Sequence, residues 1–144
     1  MQMVDNARVV VYLMAGFSFL RYTLGQEYFE IDGNTLLILC EEGEEEYGEE
    51  LLKRTNTTLL TVDDPEELTL EWLREADRKY HPERVIIECN GMYPVSRIEA
   101  MDVPPGWGLV QKLVTVDAST FGTYIANMKP LFMDMVRNAE LVMF

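Results

Sequence analysis

Val85-Ile86-Ile87-Glu88-Cys89-Asn90-Gly91 is the stretch on which the reading of the fold turns. Three consecutive β-branched residues lead into a carboxylate, a thiol and a turn, so the run starts as a strand apolar on both faces and ends in reactive side chains. A strand without period-two alternation must be covered on both sides, as parallel strands between helices are. Similar runs lie on either side of it at Val9 to Ala15, Leu36 to Cys40, Thr58 to Val62, Leu109 to Val116 and Leu141 to Phe144. Helical patterns separate them. Ser18 to Tyr28 opens on a capping serine. Pro65 to Tyr80 follows the start signal Asp63-Asp64-Pro65 and carries Leu68, Trp72, Leu73 and Ala76 on one stripe. Thr120 to Arg137 spaces Tyr124, Met128, Leu131 and Met135 helically behind Ser119. The alternation βαβαβαβαβαβ predicts an α/β fold: a doubly wound, mostly parallel sheet with helices on both faces and right-handed crossovers. Loops such as Asp32-Gly33-Asn34 and Pro104-Pro105-Gly106 carry ordinary turn chemistry.

The 144 residues suit one domain, residues 1–144, and 48% apolar content is enough for a sizeable core. Against 12 Lys and Arg stand 25 Asp and Glu, a net charge of −13 with the one histidine neutral. That balance argues against nucleic acid and anionic membranes, which must be met with clustered cations. No apolar run approaches the roughly 20 residues that cross a bilayer, and the start of the chain does not read as a secretory signal. Two cysteines fit a reducing compartment, so a cytoplasmic protein is expected. Leu141-Val142-Met143-Phe144 reads as a buried strand with nothing to close it, which leads us to expect a domain truncated at the C-terminus.

Ligands of open α/β sheets bind beyond the carboxyl ends of the strands. Those ends supply Gly16 and Phe17, then Cys40, Glu41 and Glu42, then Glu88 to Gly91, then Asp117. Carboxylates at three strand ends suit a hard divalent cation such as Mg²⁺; the competing reading is that they cap the following helices. The run Cys40-Glu41-Glu42-Gly43-Glu44-Glu45-Glu46-Tyr47-Gly48-Glu49-Glu50 reads first as a solvated helix start before Leu51 and Leu52, and second as an acidic loop meeting a nucleotide-bound metal. Cys40 and Cys89 lack the four-ligand spacing of a zinc site. His81 precedes Pro82 at the amino end of the fourth strand, opposite the expected crevice, so a histidine-based catalytic site is poorly supported. The methionines of the last helix read as core.

Gly16-Phe17 after the first strand, Cys40-Glu41-Glu42-Gly43-Glu44, Val85 to Pro94 and Val116-Asp117-Ala118-Ser119-Thr120-Phe121 together resemble the nucleotide-binding domain of CobW/HypB/UreG-type GTPases over nearly the whole chain. Members of that family are P-loop proteins that couple GTP to metal delivery or to the maturation of metal and cobalamin enzymes. The resemblance implies GTP and Mg²⁺ as cofactors and a metallo- or corrinoid enzyme as client. It implies nucleotide contacts at Gly16, Ser18 and the second-switch glycine Gly91. Glu41 would match the acidic residue of the first switch, Glu88 the catalytic and metal-orienting carboxylate of the Walker B strand, and Asp117 a further metal-side carboxylate.

The chain departs from the family in three places. A phosphate loop reads G-x-x-x-x-G-K-[ST], whereas Gly16-Phe17 runs straight into Ser18-Phe19-Leu20, about six residues short of the motif. No lysine precedes Lys53, and Arg21 lies a turn too far into the expected helix to replace it. Natural loss, deliberate deletion and a loop left out of consecutive numbering are the three explanations. The base-reading Asn-Lys-x-Asp segment would follow Phe144, and Thr55-Asn56-Thr57-Thr58 stands where many members carry a cysteine-rich metal motif. The expectation is therefore a GTP-binding accessory factor in which hydrolysis is compromised. The rivals are a non-catalytic protein-interaction domain on the same scaffold and a divalent-metal carrier.

Overall fold

The structure, a computed structural model, describes residues 7–16, 33–40, 47–89, 95–116, 119 and 121–143. Six strands form one sheet: β1 (Val9–Gly16), β2 (Thr35–Cys40), β3 (Thr57–Val62), β4 (Arg84–Cys89), β5 (Trp107–Thr115) and β6 (Leu141–Met143). Each coincides, within two residues at either end, with one of the apolar runs. All five pairings are parallel, in the order β3-β2-β4-β1-β5-β6. The sheet is thus wholly parallel instead of mostly so.

Among the described residues four α-helices lie between the strands: α1 (Glu49–Arg54), α2 (Leu70–Tyr80), α3 (Val95–Glu99) and α4 (Phe121–Asn138). The sheet order dictates where they lie. The step from β2 to β3 goes one way along the sheet, whereas β3 to β4, β4 to β5 and β5 to β6 go the other, so right-handed crossovers require α1 on one face and α2, α3 and α4 on the opposite face. The core is divided accordingly. Leu73 and Ala76 of α2, Ile98 of α3 and Phe132 and Met135 of α4 pack with Val11, Leu36, Ile38, Val85 and Ile87. On the other face Leu51 and Leu52 of α1 pack with Leu37, Leu39, Leu59 and Ile86. Three layers result, the doubly wound arrangement expected from the sequence.

Several local differences have clear causes. The expected helix from Pro65 to Tyr80 is two pieces. Asp64 accepts the Glu66 amide and sets a short 3₁₀ turn over Pro65–Glu67; Leu68 is then buried, and Thr69 restarts the chain as the cap of α2 by accepting the Trp72 amide at 3.2 Å. The chain leaves α2 through His81, at φ 45°, in the left-handed conformation that ends many helices. Helix α4 is broken in its backbone at Met128 (φ −129°, ψ 30°), two residues before Pro130, whose ring and missing N–H disfavour a regular turn there. Met135 is buried in the core and Met133 packs against it. The helix expected at Ser18 to Tyr28 lies outside the described residues.

Between β1 and β5 the register shifts: Val11 pairs with Leu109, but Tyr12 pairs with Gln111. Val110 is the extra residue of a bulge, and beyond it the alternation of β5 changes parity. Before it Trp107 and Leu109 face α2, α3 and α4; after it Val114 does, and Leu113 faces the α1 side. Lys112 is thereby turned toward α3, where its Nζ meets Glu99 at 3.0 Å with both side chains largely covered.

At the amino edge of the sheet a polar network fastens the layers. Asp77 of α2 accepts from Arg8 at 2.8 Å and from the Trp107 indole at 3.2 Å, tying the helix to the starts of β1 and β5. Burial raises the Asp77 carboxyl pKa, but the hydrogen bonds from Arg8 and Trp107 and the positive charges of Arg8 and His81 outweigh it, so the group lies below its ordinary value. Asn34 donates to the Tyr80 carbonyl at 2.7 Å and accepts the Glu83 amide at 3.1 Å. Arg84, 3% exposed, donates from Nε to Thr35 Oγ1 at 3.0 Å, and its burial holds the guanidinium below its ordinary pKa while Tyr12 acts in the opposite direction.

Candidate functional site

The carboxyl edge is where an α/β sheet presents side chains to a ligand. At the middle of that edge stand the ends of β4, β1 and β5: Ala15 is paired with Cys89, Met14 with Glu88 and Gly16 with Thr115. β1 leads to β2, on one side of it, whereas β4 and β5 both lead to strands on the other. The chain leaving Gly16 is therefore flanked by two connections that run in the opposite sense, the topological condition for a crevice.

Glu88 is the penultimate residue of β4 and alternates with Arg84 and Ile86, so it belongs to the α1 face of the sheet. Its neighbours in register are Leu39 of β2 and Met14 of β1. Tyr47 reaches it from the segment leading into α1: the phenol donates to Glu88 Oε2 at 2.6 Å, a short hydrogen bond of the charge-assisted kind. Tyr47 is 8% exposed and packs in the cluster of Leu37, Ile86 and Leu113. A carboxylate at a strand end is thus held by a neutral donor from a different element. Its ring is fixed by apolar packing, and Gly48 and α1 follow at once in the chain.

Cys40 and Cys89 end their strands as register partners, and both are buried on the opposite face, in the cluster with α2, α3 and α4. No disulfide joins them. Because Cys89 and Glu88 alternate across the sheet, the thiols and the carboxylate point to different layers and do not form one ligand set. Among the described residues no group of three or more His, Cys, Asp and Glu is placed to hold a metal ion.

Of the residues nominated from the sequence, Gly16 and Glu88 are described and sit on neighbouring strands at the same edge. Ser18, Glu41, Gly91 and Asp117 lie outside the described residues. His81 is exposed at the end of α2, at the amino edge away from Glu88. Tyr47 is the functional candidate that the sequence reading did not single out. It stands in an acidic run that reads as a solvated face, and its signal was that it is the one aromatic residue between Glu41 and Glu50.

Comparison of the chain with protein-family models, with curated proteins and with solved structures returned no match. Among the described residues no helix is long and apolar enough to cross a membrane.

Proposed function

We propose that the chain is a GTP-binding domain of the CobW/HypB/UreG type, an accessory factor for a metallo- or corrinoid enzyme, with its nucleotide and Mg²⁺ at the carboxyl ends of β1 and β4. The observation that carries the proposal is the placement of Glu88: a carboxylate at the end of a central parallel strand, next to the strand that ends in Gly16, with the Tyr47 phenol donating to it. An acidic group so placed suits Mg²⁺, which takes one or two carboxylates and completes its shell with water and phosphate oxygens. The family's sequence segments, spread from Gly16 to Phe121, add to the reading. Glu41 and Asp117 follow strand ends and are proposed to supply further oxygen ligands; Ser18 and Gly91 are proposed to contact phosphates. A cytoplasmic location goes with the reduced cysteines.

What this chain's residues would do is bind and orient. Glu88 would hold Mg²⁺ or align a water, and the backbone after Gly16 would approach the phosphates. Without the lysine and hydroxyl of a G-x-x-x-x-G-K-[ST] loop, neither the charge nor the cradle for phosphoryl transfer is complete, so binding is expected to be weak and turnover very slow. Calorimetric titration of GTP with Mg²⁺ into this chain, and into a version carrying a restored loop between Phe17 and Ser18, tests the proposal. Tight binding by the restored protein, lost again in Glu88→Gln, is the expected result. Absence of binding by the restored protein would overturn it and leave an interaction domain on the same scaffold.

A further inference from the structure

We infer that the outer edge of β3 is a docking surface for a second copy of this chain: two molecules pair their β3 strands antiparallel across a two-fold axis and join their sheets into one. The inference is independent of the nucleotide reading, because β2 and β4 separate β3 from β1 and no residue of the proposed nucleotide site belongs to β3.

The backbone of β3 pairs with β2 on one side and, among the described residues, with no strand on the other. Proteins blunt such an edge with charge, proline, a bulge or a very short strand. The opposite edge follows that rule, since β6 has three residues. β3 does not: Thr57-Thr58-Leu59-Leu60-Thr61-Val62 carries no charge, proline or glycine, is mostly β-branched, and runs beside β2 without a break in register. The charges at its two ends identify the occupant. Lys53 and Arg54 precede the strand and Asp63 and Asp64 follow it, all four exposed, and neither Arg54 nor Asp63 has an ion pair among the described residues. Antiparallel pairing brings the basic end of each strand to the acidic end of the other, twice over by symmetry, whereas parallel pairing would set like against like. A strand from a different protein would require no such reversal of charge along β3. Two chains of net charge −13 repel, and an uncharged strand with complementary ends lets them meet. Finally, an open hollow of about 570 Å³ lies beside β3 on the α2 side, walled in part by the half-buried side chains of Leu60, Trp72 and Tyr80. A two-fold axis normal to the sheet keeps the α2 faces on the same side. The hollows of the two copies then adjoin, and Leu60 and Trp72 of each shield those of the other from water.

The test is sedimentation equilibrium of the intact chain, without nucleotide, at concentrations up to the millimolar range. A reversible dimer is expected. Thr58→Lys, at an exposed position of the strand, should weaken it by at least about tenfold, because it sets a lysine from each copy into the paired edge. Arg54→Glu and Asp63→Lys should each weaken it about three- to tenfold, and the two together should restore it to within about threefold of the original. The single changes move the net charge in opposite directions and the double change leaves it as it was, so loss in both followed by rescue separates facing charges from a general charge effect. Thermal melting of each variant checks the fold. A chain that stays monomeric at every concentration overturns the inference and leaves the edge to a strand from a different protein. A dimer that Thr58→Lys leaves intact also overturns it, by placing the contact elsewhere. If the charge reversals have no effect, or the double change fails to restore the dimer, the antiparallel arrangement is overturned.

Discussion

The two edges of this one sheet are built on different chemistry. At the amino edge a charge meets a charge: Arg8 and Asp77 pair at 2.8 Å, and the indole of Trp107 closes on the same carboxylate. Side-chain amides there bond directly to backbone, as Asn34 does to Tyr80 and Glu83. At the carboxyl edge Glu88 meets a neutral phenol instead. The amino edge uses its polar groups to fasten α2 to β1 and β5. At the carboxyl edge Tyr47 ties the segment before α1 to the end of β4 through Glu88. The fastening network and the proposed site are thereby separated by the length of the strands, and the two edges should respond differently to substitution.

The largest effect should come from the region the edges share. Ile87→Ala, in the fully buried centre of β4, is expected to cost about 3 kcal/mol and to weaken both edges together; urea unfolding followed by tryptophan fluorescence measures it. Next, Asp77→Asn should lose about 1.5 kcal/mol, because it strips charge from an acceptor shared by Arg8 and Trp107, and should leave Mg²⁺ binding unchanged. Glu88→Gln should do the reverse, with less than about 1 kcal/mol lost and cation binding impaired. A cation effect of Asp77→Asn would break the comparison.

Acid sharpens it further. The Asp77 pKa is depressed in the folded protein, so its contribution to stability is complete above the ordinary carboxyl value of 3.8 and is lost as pH falls through the lower folded value. Unfolding curves below about pH 4 should therefore flatten in Asp77→Asn relative to the original chain. Smaller still, Gly106→Ala should cost about 1 kcal/mol, since Gly106 has φ 88° and an added Cβ would stand 3.1 to 3.2 Å from Arg8, the partner of Asp77. Gly33→Ala should cost less than about 0.5 kcal/mol, because the atoms its Cβ would meet are those of the Glu83 side chain, which can swing away. Thermal melts of the two variants measure the difference.

The central strands were legible because their burial on both faces leaves continuous apolar runs, and Leu36 to Cys40 or Val85 to Cys89 needs no tertiary knowledge to be read. The order of the sheet was not. That β4 lies between β2 and β1 depends on which strands bury the most surface together, and each run, read alone, would pair equally well with several others. The break of the expected Pro65 to Tyr80 helix at Leu68 was hidden because Pro65 and Asp64 signal a helix start equally well for a 3₁₀ turn and for a full helix. Glu88 was legible as a strand-end carboxylate. Its partner was not, because a tyrosine beside seven glutamates from positions 41 to 50 looks solvated, and only the packing of its ring with Leu37 and Ile86 shows otherwise.

The bulge at Val110 sets the phase of everything that follows it in β5. A chain that took Val110 into the regular pairing in place of the bulge would keep every strand, every helix and the same composition, yet the second half of β5 would be read one frame out: Lys112 would point toward the α1 layer, and Leu113 and Val114 would exchange sides. In this fold the bulge thus absorbs an extra residue without disturbing the faces on either side of it, and sequences aligned to this one should be matched across position 110 before their residues are compared.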